Sequence, residues 1–320
     1  MLGSDWARTE ELIYSSLKSD IDLLDRTNDS ILANGGKRIR PLISLLVARA
    51  CSPGSNLPED SIRFAAASEL LHNATLLHDD VADSGDVRRG TPTVMSLLGG
   101  PASVLTGDFW LVRSMENILA SGENGSKVIR IFAKTLSDLA EGEMLQLQKA
   151  LSGDTTEEDY YRIIYNKTAS LFEATGVSAA ISVNAPEGFV EAVREYCVDL
   201  GMAFQIKDDL LDYSGGEVLG KPVGVDLKEG KITLPLLGAL KSVGKEDEDR
   251  VRGMVALIGS CPENNMAVRD FVFSHGGREF ASARLEEFVL KAKTALEKLP
   301  DSEEKDYLSK IAAFTARRDK

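Results

Sequence analysis

Residues 69–83 read ELLHNATLLHDDVAD, with Ser84-Gly85 behind them. The stretch is mostly apolar, and its three aspartates, Asp79, Asp80 and Asp83, close it just before a glycine. That is the pattern of a long apolar helix with an acidic last turn, because positions i and i+4 share a helix face with i+1 alongside. The pattern returns at 204–212, FQIKDDLLD, where Asp208, Asp209 and Asp212 precede Tyr213-Ser214-Gly215. With 25 aspartates in 320 residues, chance supplies about 0.15 copies of D-D-x-x-D. Two copies, each at a helix end, point to chemistry.

The rest of the chain reads the same way. Ile13, Leu17, Ile21 and Leu24 form one helical stripe; Val128, Ile131, Phe132 and Leu136 form another. No run of alternating β-branched residues is present, so a sheet is not expected. The 10 prolines fall at or near segment ends. The spacing predicts helices over residues 6–33, 38–51, 59–83, 102–121, 126–151, 157–184, 187–213, 231–243, 246–258, 263–275, 277–298 and 301–317. Gly35-Gly36, Gly85, Gly99-Gly100-Pro101 and Gly215-Gly216 mark joints. The longest irregular segment, 214–230, has the length of a functional loop. No linker divides the chain, so one all-α domain over 1–320 is expected.

Composition narrows the function. The net charge is −13, from 50 acids against 37 bases, which argues against a nucleic-acid face. With 43% hydrophobic and 27% charged residues the chain is not a disordered one. Cys51, Cys197 and Cys261 form no metal-ligand pattern and fit a reducing compartment. No secretory signal is visible, and the apolar stretches are too short to span a membrane. A cytoplasmic protein is the expectation.

Clustered carboxylates at a helix C-terminus repel one another and the helix dipole. A hard divalent cation, above all Mg²⁺, compensates both, and Mg²⁺ commonly completes its shell with substrate phosphates. The basic residues suit such a ligand. Gly35-Gly36-Lys37-Arg38-Ile39-Arg40-Pro41 places cations on a glycine turn entering a helix, and Arg88-Arg89-Gly90 follows the first triplet. Lys167-Thr168 falls on a helix, while Lys221, Lys228 and Lys231 lie in or beside the long loop. Singly, each is as ordinary as any surface cation, and His72 alone reads as a core histidine; their joint occurrence is the signal.

On these motifs the sequence resembles the trans-isoprenyl diphosphate synthases, the polyprenyl synthetase family. GGKRIRP at 35–41, ELLHNATLLHDDVAD at 69–83, RRG at 88–90, GDF at 107–109, KTASLF at 167–172, FQIKDDLLD at 204–212 and GKPVGVDLKEGKITLP at 220–235 stand in the family's order. The resemblance implies an all-α isoprenoid-synthase bundle around a deep cavity, usually a homodimer, with three Mg²⁺ ions bound alongside substrate diphosphate. It implies Asp79, Asp83 and Asp208 as principal Mg²⁺ ligands, with Asp80, Asp209 and Asp212 supporting them directly or through water. Lys37, Arg40, His72 and Arg89 would hold isopentenyl diphosphate; Arg88, Lys167, Lys221 and Lys231 would hold the allylic diphosphate. Thr168 and Gln205 would lie near the carbon that becomes cationic. Ala82 is smaller than the aliphatic residue relatives often carry there.

Product length is expected to follow from what blocks the cavity below Asp79. Short-chain relatives commonly carry aromatic residues four or five positions before the motif, where this chain has Thr75 and Ala74. Leu71 lies further down and Ala67 ~18 Å below, so a long product of about C30 or longer is expected. Phe132 is a candidate floor from another helix. Farnesyl or geranylgeranyl length is the alternative. A class I terpene cyclase would carry a different second motif from that at 208–216, and a regulatory subunit of a heteromeric synthase typically lacks an intact triplet.

Overall fold

The computed structural model describes residues 2–34, 36–88, 90–214 and 223–318. It is helical almost throughout, as the periodicity predicts. The described residues fall into two compact units, each assembled from three stretches of chain: Met1–Ala133, Ala174–Val193 and Lys298–Leu308; and Lys134–Glu173, Arg194–Glu297 and Ser309–Lys320.

The first unit is built around α4 (Glu59–Ala82) and α6 (Gly100–Leu119), with α1 (Gly3–Ser16), α2 (Asp22–Ala33), α3 (Ile39–Cys51) and the short α5 (Val94–Leu98) beside them. Small residues let α6 lie close along α4. Ser103 donates to the Leu77 carbonyl and Ser114 to the Ala67 carbonyl, both at 2.8 Å. Ala66, Leu70, Ala74 and Leu77 of α4 then share a fully buried cluster with Trp110, Ile13, Leu17 and Leu32. The indole N–H of Trp110 donates to Asn28 Oδ1, whose amide in turn donates to the Leu17 carbonyl, so the polar atoms of this core are satisfied.

The second unit holds α8 (Glu157–Ile164), a single π turn (Tyr165–Ala169), α11 (Val225–Lys228), α12 (Leu234–Leu240), α13 (Lys245–Ala256), α14 (Glu263–Ser274) and α15 (Gly277–Leu296). Four helices supply residues to both units: α7 (Gly122–Ser152), α9 (Ser170–Ser182), α10 (Glu187–Ser214) and α16 (Glu303–Arg317).

Four expectations need correction. The helix predicted over 6–33 is two helices, because Ser19 and Asp25 intervene: Ser19 Oγ accepts from the Ile21 N–H and Asp25 Oδ1 from the Ser19 N–H. The helix predicted over 157–184 contains the π turn. The helix predicted over 231–243 is shorter, α12, with α11 ahead of it. Val87–Arg88 and Thr91–Pro92 pair as a small antiparallel hairpin where no strand was expected; two-residue strands carry no alternation to read. Much of the predicted 214–230 loop lies outside the described residues.

Candidate active site

The first triplet closes α4, where Asp79 is half-buried and Asp83, the C-cap, is exposed. Asp80 between them is buried, and its Oδ1 accepts from Arg88 Nε at 2.7 Å. The family resemblance implies a substrate role for Arg88; here the hairpin brings it to Asp80. Both residues line a cavity of about 300 Å³ with Leu76, Val94 and Leu97.

Helix geometry sorts the residues below the triplet. At about 100° per residue, Thr75 and His72 lie within about 40° of Asp79, whereas Ala74 lies about 140° round the helix. The structure agrees: Ala74 is packed in the Trp110 cluster, so of the two positions expected to face the space under Asp79, Thr75 is the one on its side. Leu71 and Phe132 are fully buried. Lys37 and Arg40 stand at the start of α3, Lys37 exposed and Arg40 half-buried. Arg38 between them pairs with Glu10 and adopts φ 47°, a left-handed backbone that few non-glycine residues take. Arg89 and Lys221 lie outside the described residues.

In the second unit Lys167, Gln205, Asp209 and Lys231 line one cavity of about 170 Å³, together with Tyr160 and Asp226. The sequence distance between them is bridged by the π turn, which carries Lys167 and Thr168. Close approach clamps this turn from two sides. A Cβ on Gly142 of α7 would sit 2.7 Å from Asn166 Cβ, and one on Gly201 of α10 would sit 2.5 Å from Ala169 Cα. Only glycine admits such contacts. Single π turns recur at functional sites because the extra residue re-aims neighbouring side chains. Lys167 Nζ donates to Gln146 Oε1 at 3.0 Å and pairs with Glu143 at 2.7 Å.

The second triplet distributes its carboxylates. Asp208 Oδ1 accepts from Arg318 Nη2 at 2.7 Å, and that guanidinium also stacks 3.9 Å over the Phe204 ring. Asp209, buried, accepts from Tyr160 Oη at 2.6 Å on Oδ2 and from Gln205 Nε2 at 2.9 Å on Oδ1. Thr168 Oγ1 donates to Gln205 Oε1 at 2.8 Å. Asp212 accepts the Val225 and Asp226 N–H groups on its two oxygens, tying α11 to the end of α10. Lys231 pairs with Glu229 at 2.5 Å.

Four of these side chains, Tyr160, Gln146, Asp226 and Arg318, were not singled out from sequence. A tyrosine or glutamine within a helical stripe looks like packing, and Arg318 stands 110 residues beyond its partner. Asp226 carried a signal, since it lies within the GKPVGVDLKEGKITLP motif.

Burial and crowded negative charge set the electrostatics. Burial pushes the Asp209 carboxyl up to about 6, against the pull of its hydrogen bonds from Tyr160 and Gln205. Burial, with the charges of Asp209 and Asp212, pushes Asp226 up to about 8. Asp212 is also raised, chiefly by burial. Burial, then the Asp209 charge, holds the Tyr160 hydroxyl well above its ordinary value, so it stays a donor. Burial thus raises all three carboxyls, and Lys231 beside Asp226 pulls the other way. The carboxylates of Asp79, Asp83 and Asp208 are hard oxygen donors of the kind a divalent cation takes. Among the described residues no three His, Cys, Asp or Glu side chains gather closely enough to enclose a metal.

The family model described as polyprenyl synthetase matches residues 21–270. The chain belongs to this family. Octaprenyl diphosphate synthase of Escherichia coli is 39% identical over 321 residues, covering 100% of this chain and 98% of that protein. The all-trans-nonaprenyl-diphosphate synthase (geranyl-diphosphate specific) of Rhodobacter capsulatus is 38% identical, covering 94% and 91%. A polyprenyl synthase from Caulobacter crescentus CB15, solved with calcium and isoprenyl diphosphate, superposes with a TM-score of 0.89 at 34% identity, covering 100% of this chain and 96% of that one. The fold is thus the all-α fold of the polyprenyl synthetases, and the protein is a prenyltransferase that elongates trans-prenyl chains.

Proposed function

We propose that this polyprenyl synthetase condenses isopentenyl diphosphate head-to-tail with an allylic diphosphate and repeats the step to about C30 or longer, a length that Thr75, in place of an aromatic residue one turn below Asp79, admits. The observation that carries the chemistry is the convergence of Lys167, Gln205, Asp209 and Lys231 on one cavity. The full-length similarity to octaprenyl and nonaprenyl synthases supports the product class. Residues 1–320 act as one polyprenyl synthetase domain in the cytoplasm.

Asp79, Asp83 and Asp208 would hold Mg²⁺, three ions with the diphosphate in place. Bound there, the metal offsets the charge that builds on the leaving diphosphate. Lys167 and Lys231, with Arg88 and Lys221, bind the allylic diphosphate and stabilise the same charge in the transition state. Lys37, Arg40, His72 and Arg89 hold isopentenyl diphosphate. As the allylic C–O bond breaks, its electron pair leaves with pyrophosphate. The double bond of isopentenyl diphosphate attacks the resulting cation, and the proton released by the new carbon–carbon bond goes to pyrophosphate. Gln205 and Thr168 face the cation with oxygen dipoles.

The enzyme acts as a homodimer through α6. Leu105, Val112 and Leu119 recur every seven residues on that helix and are 68%, 51% and 58% exposed, an apolar stripe a second copy would cover.

Purified protein incubated with Mg²⁺, isopentenyl diphosphate and an allylic primer should yield linear elongated diphosphates, and chelator should stop the reaction. Asp79→Ala and Asp208→Ala should each lower turnover by about 100-fold or more with an unchanged helical circular-dichroism spectrum. A cyclic hydrocarbon would identify a terpene cyclase instead, and no turnover without another subunit would identify a regulatory partner.

A further inference from the structure

Asp209 carries the acidic triplet's spacing but not its surroundings. It is 4% exposed, and each carboxylate oxygen already accepts a hydrogen bond from a named donor, Tyr160 Oη on one and Gln205 Nε2 on the other. Tyr160 is itself 3% exposed, on α8, and Gln205 stands one helical turn before Asp209 on α10. Turning Asp209 toward an ion would strip two buried donors of their acceptor, which is costly because buried donors without partners forfeit their full desolvation energy.

The donors and acceptors of this group can run in only one direction. A carboxylate only accepts, so Gln205 must present its NH₂ end to Asp209. Its carbonyl end then meets Thr168 at 2.8 Å and needs a donor, which only the Thr168 hydroxyl can be. The hydroxyl proton of Thr168 is thereby committed, and its oxygen is left with lone pairs to offer. Replace the carboxylate by a group that can both donate and accept, and the amide is free to turn over and reverse the chain.

We infer that Tyr160 is a positioning residue: through Asp209 it fixes the orientation of the Gln205 amide and the Thr168 hydroxyl, and Asp209 serves as the fixed acceptor of this chain and not as a metal ligand. The inference rests on the proposed prenyl-transfer reading, in which Gln205 and Thr168 face the cationic carbon. Tyr160 acts through Asp209, to which its hydroxyl donates at 2.6 Å. Its effect is to hold the negative ends of two dipoles toward developing positive charge before that charge exists, so that no reorganisation is needed during ionisation.

The decisive experiment compares Tyr160→Phe, Asp209→Asn and Asp208→Asn, measuring kcat, both KM values, the Mg²⁺ dependence of the rate, and the binding of Mg²⁺ with pyrophosphate by calorimetry. Tyr160→Phe removes one oxygen and keeps the ring. It should lower kcat by about tenfold while leaving KM, the Mg²⁺ dependence and the calorimetric affinity near those of the unaltered enzyme. Asp209→Asn should lower kcat further with the same unchanged metal behaviour. Thermal melts identify any variant that fails to fold, and Asp209→Glu, which restores an acceptor-only group, should recover part of the kcat lost in Asp209→Asn. Unaltered kcat in Tyr160→Phe, or a weakened calorimetric affinity in Asp209→Asn, would overturn the inference. Asp208→Asn should weaken Mg²⁺-pyrophosphate binding; if it does not, the metal assignment of the second triplet fails, a separate outcome from failure of the Tyr160 role.

Discussion

The aspartates of the two motifs meet different neighbours: Asp80 meets Arg88, Asp208 meets Arg318, Asp209 the Tyr160–Gln205 pair, and Asp212 two backbone N–H groups of α11. Spacing alone makes six aspartates look equivalent, because a helix face is visible in sequence and the partner across from it is not. Charge placement also has consequences away from the site. Asp199 on α10 is half-buried, and burial raises its carboxyl to about 6 although Lys291 pulls it down. The folded state therefore keeps this proton to a higher pH than the unfolded chain does, so stability falls as pH rises from about 4 to about 6 and the loss persists above. Asp199→Asn should raise unfolding stability by about 1 kcal/mol at pH 7.5, the solvent-facing side of the group screening the rest. Urea unfolding at pH 7.5 and pH 4 checks this: the gain should vanish at pH 4, and an equal change at both would show that the carboxyl titration is not its cause.

At the scale of elements, most helices were legible because a 3.6-residue apolar period survives any detail of packing. α4, α7, α10, α15 and α16 lie within a few residues of the expected bounds. What periodicity cannot show is a local insertion or a side chain competing for the backbone. The break between α1 and α2 depends on Ser19 and Asp25, and the π turn keeps enough of the stripe to read as one helix from 157 onward. The Lys-Thr pair was legible as a motif; the turn that aims it was not. Gly201 stands directly behind that turn, so Gly201→Ala must move the backbone at Ala169 or α10. We expect kcat to fall by about tenfold or more while thermal melting shows a folded protein. Turnover of the purified variant decides it: wild-type kcat would mean the clamp does not aim Lys167 and Thr168.

For the whole molecule, net charge −13 excluded one class of partner and identified none, because the substrates are anions too. Local cations and metal must do the attracting. The all-α fold and the family are plain from ordered motifs along the entire chain, whereas the two units, each drawn from three stretches, have no counterpart in a linear reading. The α6 stripe gives an assembly prediction. Leu105→Lys with Val112→Lys should convert a dimer to a monomer by light scattering, without unfolding the helices; a monomeric unaltered enzyme would contradict it. Repeated elongation to a long chain is read out by chromatography of the products formed from radiolabelled isopentenyl diphosphate and an allylic primer, with Thr75→Phe run beside the unaltered enzyme. The dominant product should be about C30 or longer, and a Phe that fills one turn, ~6 Å, below Asp79 should shorten it. A dominant product of farnesyl or geranylgeranyl length from the unaltered enzyme would contradict it.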